Sequence, residues 1–87
     1  MNFILVTAIW CPSCIIMRPR YFELLKKSNY PIKELDFDDD SDEVDKLNIG
    51  STLPVLIVRK DNLEIGRIIG EKSIKELEGI FYDKGIF

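Results

Sequence analysis

Cys11 and Cys14 are the only cysteines in the 87-residue sequence, and just two residues separate them. They follow an apolar run at residues 3–9 and open a segment whose apolar residues have helical spacing. A Cys-x-x-Cys pair at the end of a strand and the start of a helix is typical of a redox site. The pair therefore predicts exchange between a dithiol and a disulfide.

The predicted helix start gives the two sulfurs different tasks. Cys11 lies at the expected helix N-terminus, where backbone N–H groups and the helix dipole stabilise a thiolate. It is the predicted nucleophile, which attacks a substrate disulfide and forms a mixed disulfide. Cys14, one turn along and less exposed, is predicted to attack that intermediate and release the reduced substrate.

Two other interpretations of the cysteine pair are open. A structural disulfide would close a short loop, and its restriction of the unfolded chain would stabilise the fold by only about 2 kcal/mol. A metal site would need two chains that share four thiolates, because the sequence has no His and only two Cys. Exchange is favoured over both, because disulfides in the cytoplasm are usually transient and catalytic.

Composition indicates which partners and which cellular compartment to expect. The net charge of -3 gives no basic surface for nucleic acid or anionic lipid. The sequence begins without the basic and apolar regions of a signal peptide, and its apolar runs are shorter than the ~20 residues that span a bilayer. We therefore expect a cytoplasmic monomer, a single domain over residues 1–87, with no membrane or nucleic-acid partner.

Hydrophobic spacing predicts an α/β domain with the element order β-α-β-α-β-β-α. The four expected strands span residues 3–9, 32–37, 55–58 and 63–69. The three expected helices run from residue 12 to about 28, over 42–47 and from 71 to about 83. A helix joins the first two strands, so they are expected to be parallel, with the first central and the second at a sheet edge. The turn at residues 60–62 makes the last two an antiparallel hairpin.

Prolines and arginines in the first helix add three expectations. Pro12 lies in the first turn, where its missing N–H costs nothing. Pro19 lies inside the helix and is expected to kink it. Arg18 and Arg20 are helix-surface charges by default, and a raised positive potential at Cys11 is the alternative.

An acidic stretch follows the second expected strand, with seven Asp or Glu among the ten residues 36–45. The favoured interpretation is a solvated loop with acids at the N-terminus of a short helix. An ion site is the alternative, but the stretch lacks the glycine and the spacing of a calcium-binding loop.

Five features along nearly the whole chain resemble the thioredoxin superfamily. They are, in order, Trp-Cys-x-x-Cys at residues 10–14, Pro19 in the helix, Pro54 before a strand, the hairpin turn and Gly70. The resemblance implies a thioredoxin fold of minimal, glutaredoxin-like size, with a four-stranded mixed sheet flanked by helices. It also implies the activity of a thiol–disulfide oxidoreductase.

The sequence mixes features of two subfamilies. Trp10, Pro19 and the hairpin turn resemble thioredoxin, whereas the length, Cys-Pro-x-Cys and the Thr-Leu-Pro at residues 52–54 resemble glutaredoxin. Gly70 is not followed by the glycine and aspartate with which glutaredoxins hold glutathione. Leu5 occupies the position, six residues before the first cysteine, where thioredoxins usually bury an aspartate. The family's helper for deprotonating the second cysteine is therefore absent.

The resemblance implies a substrate site around the cysteines. A cis Leu53–Pro54 bond is expected beside them, which leaves the Leu53 backbone free to pair with an extended substrate segment. The other expected substrate contacts are Trp10, Pro12, Ser13 and Thr52. Trp10 is either a core aromatic or a residue that shields the site or contacts substrate. An apolar rim formed by Trp10, Ile49 and Leu53 is a further hypothesis.

The leading prediction is a thiol–disulfide oxidoreductase that reduces protein disulfides, with no cofactor besides its own redox-active disulfide. The sequence contains no nucleotide or flavin motif, so electrons are expected from an external reductant such as a thioredoxin reductase or glutathione. The alternatives are a glutathione-dependent glutaredoxin and a non-enzymatic redox-sensing or metal-binding module.

Overall fold

The computed structural model describes residues 1–86 and confirms the expected order of strands and helices. The elements are β1 (Asn2–Thr7), α1 (Pro12–Leu25), a 3₁₀ turn (Lys26–Ser28), β2 (Ile32–Asp36), α2 (Ser41–Asp45), β3 (Val55–Lys60), β4 (Leu63–Ile69) and α3 (Ile74–Asp83). No helix within this range combines the length and the apolar character that crossing a membrane requires.

The four strands form one mixed sheet in the order β2-β1-β3-β4. β1 pairs with β2 in parallel and with β3 antiparallel, and β3 pairs antiparallel with β4. β1 is therefore an inner strand, which explains its continuous apolar sequence, because both of its faces are covered. β2 lies at the edge, as its alternating sequence predicts.

Alternating side chains divide the core into two clusters, one on each face of the sheet. The first cluster contains residues of the strands, of α1 and of α3, and one residue after α3: Phe3, Leu5, Leu56, Val58, Ile68, Met17, Tyr21, Leu24, Leu25, Leu77, Phe81 and Ile86. The second cluster contains other strand residues, Val44 of α2, both cysteines and the loop residues Ala8 and Leu53: Ile4, Val6, Ala8, Cys11, Cys14, Leu35, Val44, Leu53, Val55 and Ile57. Both cysteines, at the start of α1, thus pack with the second cluster.

The buried face of α1 differs from the apolar spacing that marked this helix in the sequence. Cys14, Met17 and Tyr21 are buried, whereas Ile15 and Ile16 are 69% and 44% exposed. The α-helix ends at Leu25, and the last three residues of the expected helix form the 3₁₀ turn instead.

Local hydrogen bonds explain where the observed boundaries depart from the expected ones. β1 ends at Thr7 rather than Ile9, because the chain turns there and the Cys11 N–H donates to the Ala8 carbonyl. α3 begins at Ile74 rather than residue 71, because Ser73 caps it and exchanges hydrogen bonds with Glu76. α2 spans Ser41–Asp45 instead of 42–47, and β3 extends to Lys60.

The predicted hairpin is confirmed, and its turn has a clear backbone reason. Asp61 and Asn62 have φ values of 54° and 65°. Two consecutive residues with positive φ are typical of a type I′ turn, whose twist matches that of paired strands.

The acidic stretch fits the favoured interpretation, since Asp42 and Glu43 are exposed in the first turn of α2. Side-chain hydrogen bonds order the turn before that helix. The Asp36 carboxylate accepts the N–H groups of Asp38 and Asp39, both at 2.9 Å, and the Asp40 carboxylate accepts the Asp36 N–H at 2.8 Å. These bonds build the turn that follows β2. Within residues 1–86, no group of three or more Cys, Asp or Glu side chains is arranged to hold a metal ion.

Candidate functional site

Cys11 lies at the N-cap of α1, in extended backbone with φ -97° and ψ 110°. Its Sγ accepts the backbone N–H of Cys14 at 3.3 Å, and its thiol donates to the carbonyl oxygen of Leu53 at 3.8 Å. A sulfur at this position accepts a helix N–H and lies at the positive end of the helix dipole, and both stabilise a thiolate. The geometry suits a nucleophile.

Cys14 lies in the first turn of α1 and is the more buried of the two thiols, at 3% exposed against 6% for Cys11. Both cysteines are free thiols in this structure. Burial, followed by the hydrogen bond with the Cys11 side chain, raises the pKa of Cys14 from 9.0 to about 12. Cys14 therefore holds its proton at neutral pH.

The bond between Leu53 and Pro54 is cis, as the resemblance implies, and both residues are buried beside the cysteines. Strand pairing of β3 begins at Val55, so the Leu53 backbone lies outside the sheet ladder. The segment is held from the other side by the Gly70 N–H, which donates to the Pro54 carbonyl at 2.9 Å. Thr52 is exposed at the entrance to this segment.

Trp10 is 56% exposed, which excludes the interpretation of a core aromatic. Its indole N–H donates to the Asp38 carboxylate at 2.6 Å. Its ring meets the Phe37 ring edge to face, with 6.0 Å between centroids and 87° between planes. The Trp10 side chain, which immediately precedes Cys11 in the sequence, is therefore held against the turn that follows β2.

The hypothesis of an apolar rim needs correction. Leu53 is only 6% exposed and belongs to the second cluster, so its side chain forms core rather than rim. Ile49 packs against the same cluster. The exposed apolar side chains next to the motif are Ile9, 87% exposed, and Ile15. The sequence indicates them only indirectly: Ile9 ends the apolar run, and Ile15 is one residue past the buried Cys14 on the helix.

Within the motif itself, Pro12 is exposed and Ser13 is half-buried. Pro12 is the first residue of α1, as its missing N–H predicts, and Pro19 lies inside the helix. Both motif residues between the cysteines are thus accessible to a substrate that reaches Cys11.

The two arginines of α1 are bound to other groups. The Arg18 guanidinium donates to both carboxylate oxygens of Glu34, at 2.7 and 3.0 Å, and lies 4.9 Å from the centroid of the Phe22 ring. Arg20 donates to the Lys72 carbonyl at 2.7 Å. The default interpretation as helix-surface charges fits these contacts better than an action on Cys11.

A cleft of about 420 Å³ opens beside Cys14, between α1 and the ends of β1 and β2. It is lined by Thr7, Ala8, Ile9, Cys14, Ile15, Arg18, Glu34, Asp36 and Asp40. The Thr7 hydroxyl donates to the Glu34 carboxylate at 3.2 Å. The sequence alone does not place Glu34 in the site, because its proximity depends on the pairing of β2 with β1.

A mixed four-stranded sheet, a Cys-x-x-Cys pair at the N-terminus of the first helix and a cis-proline beside it define a thioredoxin fold with a dithiol site. The family model Thioredoxin matches residues 2–82, and the chain therefore belongs to the thioredoxin family. Its activity is that of a thiol–disulfide oxidoreductase.

Individual relatives agree with the family match. A thioredoxin from Echinococcus granulosus is 34% identical over 73 residues, which cover 80% of this chain and 67% of that protein. The structure of reduced thioredoxin pre-protein from Schistosoma mansoni has a TM-score of 0.81 at 27% identity, covering 94% of this chain and 76% of that one. Mitochondrial thioredoxin 3 from Saccharomyces cerevisiae has a TM-score of 0.79 at 26% identity, with the same coverage of 94% and 76%. The predicted superfamily and fold are confirmed.

Proposed function

We propose that the protein reduces disulfides in protein substrates, with Cys11 as the attacking thiolate and Cys14 as the resolving thiol. The observation that carries the proposal is the asymmetry of the pair. The Cys11 sulfur lies at the N-cap of α1 and accepts the Cys14 N–H, whereas the buried Cys14 thiol has a pKa of about 12. The buried Cys14 thiol keeps its proton at neutral pH, and the Cys11 sulfur is the one that lies at the helix N-terminus.

The reaction has two exchange steps. The Cys11 thiolate attacks one sulfur of the substrate disulfide, so a Cys11–substrate disulfide forms and the first substrate thiolate leaves. Cys14 then loses its proton and attacks the Cys11 sulfur, which forms the Cys11–Cys14 disulfide and releases the second substrate thiolate. Two electrons pass from the dithiol to the substrate, and an external reductant restores the dithiol.

The substrate would approach over the exposed side of the motif. An extended substrate segment would pair with the backbone of Leu53, which lies outside the sheet ladder and next to the Cys11 sulfur. Pro54 would shape this segment, and Trp10, Pro12, Ser13 and Thr52 remain the other proposed contacts. Exposed apolar side chains of Ile9 and Ile15 add surface that favours an unfolded or extended protein segment over a small polar disulfide.

The proposal places the reaction in the cytoplasm of a monomeric protein, where a reducing environment returns the dithiol after each turnover. A thioredoxin reductase is the proposed electron donor. Glutathione is the second candidate, favoured by Cys-Pro-Ser-Cys at residues 11–14 and Thr-Leu-Pro at 52–54. The segment after Gly70 does not favour glutathione. It contains no aspartate of the kind with which glutaredoxins hold glutathione, and its Ser73 instead caps α3.

Insulin reduction tests the proposed reaction. The wild-type protein should accelerate precipitation of reduced insulin, Cys11→Ser should abolish that acceleration, and Cys14→Ser should accumulate a mixed disulfide visible by mass spectrometry. Full activity in Cys11→Ser would refute the mechanism. Supplying electrons through NADPH with either a thioredoxin reductase or glutathione and its reductase then separates the two donors. If neither donor supports turnover and the anaerobically purified protein contains metal, the result would instead indicate the non-enzymatic metal-binding alternative.

A further inference from the structure

The resolving step needs a place for the Cys14 proton. Cys14 is 3% exposed, and its raised pKa means that the proton does not leave unaided at neutral pH. Leu5 lies in the fully buried first cluster and offers no acceptor. Cys14 does line the cleft between α1 and the strand ends, and the proton acceptor is to be sought among the groups of that cleft.

Three carboxylates line this cleft, those of Glu34, Asp36 and Asp40. The Asp36 and Asp40 carboxylates each accept backbone N–H groups within the turn after β2. Glu34 is the one of the three whose negative charge acts on Cys14, where it contributes, after burial and Cys11, to the raised pKa of that thiol. Glu34 is therefore electrostatically coupled to the resolving sulfur.

Glu34 is also the acid that the strand pairing brings beside Leu5. The two residues are register partners across β1 and β2, so their side chains share the face of the sheet that carries α1. Three hydrogen bonds fix the Glu34 carboxylate there, one from the Thr7 hydroxyl and two from Arg18. Thr7 is a buried polar side chain, 9% exposed, and its hydroxyl donates to this carboxylate.

We propose that Glu34 accepts, through the solvent of the cleft, the proton that Cys14 loses when it resolves the mixed disulfide, and that Thr7 and Arg18 are positioning residues. The inference rests on the proposed function, since it concerns the second step of that reaction. A cleft of about 420 Å³ has room for several waters at roughly 30 Å³ each, and a general base can act through one intervening water.

The step balances as follows in atoms and charge. The Cys14 S–H bond breaks, and the proton passes through water to the Glu34 carboxylate. The Cys14 sulfur forms a bond to the Cys11 sulfur, the bond between Cys11 and the substrate sulfur breaks, and the substrate leaves as a thiolate that takes a proton from solvent or from Glu34. Because Glu34 becomes neutral as Cys14 becomes negative, the repulsion between the two groups disappears at the moment of attack.

Arg18 and Glu34 form an ion pair that is open to solvent. The Arg18 side chain is 55% exposed, and the Glu34 side chain is 30% exposed, so solvent screens the attraction between the two charges. Arg18 fixes the orientation of the Glu34 carboxylate, since two parallel N–H···O hydrogen bonds hold a carboxylate in one plane. A mobile carboxylate at the edge strand would face the cleft for a smaller fraction of the time.

A small aromatic disulfide that releases a coloured thiolate separates the two steps in a stopped-flow experiment. Reduced protein releases one thiolate when Cys11 attacks and a second when Cys14 resolves the mixed disulfide, and Cys14→Ser, which should give the first phase alone, assigns them. Glu34→Gln should leave the first phase unchanged and slow the second by on the order of 10²-fold. The matched control is Glu43→Gln, which removes a carboxylate from another exposed ion pair, with Lys33 at 2.7 Å, and should change neither phase.

The pH profile of the second phase distinguishes proton transfer from a structural effect. In Glu34→Gln the rate should rise in proportion to hydroxide, so that the deficit against wild type narrows as pH increases. A merely structural loss would lower the rate equally at all pH values. Thr7→Val, which keeps the carboxylate but removes one of its donors, should slow the second phase less than Glu34→Gln does.

Two results would overturn the inference while leaving the proposed function intact. One is a second phase in Glu34→Gln that is as fast as in wild type. The other is a faster second phase, which would mean that the Glu34 charge only opposes the Cys14 thiolate. Absence of both phases in reduced wild-type protein would contradict the proposed function itself, and the inference would fall with it.

Discussion

The Cys11 thiol donates to the Leu53 carbonyl at 3.8 Å, across 42 residues of sequence. This contact joins the start of α1 to the segment that enters β3, and it places the nucleophile against the backbone of a residue whose side chain is buried. The Leu53 backbone and side chain therefore have separate tasks: the carbonyl faces the sulfur, and the alkyl group fills the second cluster with both cysteines.

Substitution of Leu53 should first affect stability. Leu53→Ala removes buried methyl groups beside Cys11 and should lower the free energy of unfolding by about 2–5 kcal/mol. Leu53→Met keeps the volume and should cost less than about 1.5 kcal/mol. Urea unfolding monitored by circular dichroism gives both values. Equal stability of Leu53→Ala and wild type would mean that the side chain is exposed, as the rim hypothesis required.

The hydrogen bond between Trp10 and Asp38 should be visible in fluorescence, because Trp10 is the only tryptophan in the sequence. Asp38→Ala removes the acceptor of the indole N–H, so it should shift the emission spectrum and destabilise the protein by about 0.5–1.5 kcal/mol. Asp39→Ala is the control, because the backbone of Asp39 but not its carboxylate takes part in the turn within the described chain. Identical spectra for the two variants would contradict the contact.

The parts of the site that are close in sequence could be predicted from it. Cys11, Cys14 and Pro12 occupy one helix start, and their arrangement follows from local backbone rules. The same rules could also have placed the start of α3, since Ser-Ile-Lys-Glu at residues 73–76 has the pattern of a capping box. The position of Pro54 beside the cysteines was implied by the resemblance alone, because nothing in its local sequence indicates that it lies near them.

The contacts between distant segments could not be predicted in this way. Asp38 lies 28 residues from Trp10, and Glu34 lies 27 residues from Thr7 and 16 from Arg18. Each pairing depends on the register of β2 against β1, and a shift of one residue would turn Glu34 to the other face of the sheet. A single alternating strand does not specify that register.

Tyr21 should be a site where a substitution stabilises the protein. Its side chain is fully buried beside Phe81, and its hydroxyl has no hydrogen-bond partner among residues 1–86. Since an unpaired buried hydroxyl costs about 1–3 kcal/mol, Tyr21→Phe should raise the free energy of unfolding by about 1 kcal/mol or more. Tyr82→Phe, at a position that is 73% exposed, should change it little. A destabilised Tyr21→Phe would show that the hydroxyl is solvated or bonded.

Cys14 should make the stability of the reduced protein depend on pH in the alkaline range. Burial and the Cys11 side chain raise the pKa of Cys14 in the folded protein to about 12, whereas the unfolded thiol has the ordinary value of 9.0. The folded state therefore binds this proton more tightly. Its contribution to stability is complete below pH 9 and decreases as pH rises from about 9 toward about 12.

Comparison with Cys14→Ser isolates this contribution, because serine does not titrate in that range. Urea unfolding of both proteins, fully reduced, at pH 7, 9 and 10.5 should show a steeper loss of stability in wild type above about pH 9. Tyr21 lies in both proteins, so its own alkaline titration cancels. Parallel curves would mean that the Cys14 thiol ionises as readily in the folded chain as in the unfolded one. The proposed asymmetry of the two cysteines, which depends on a protonated Cys14 thiol, would then be contradicted.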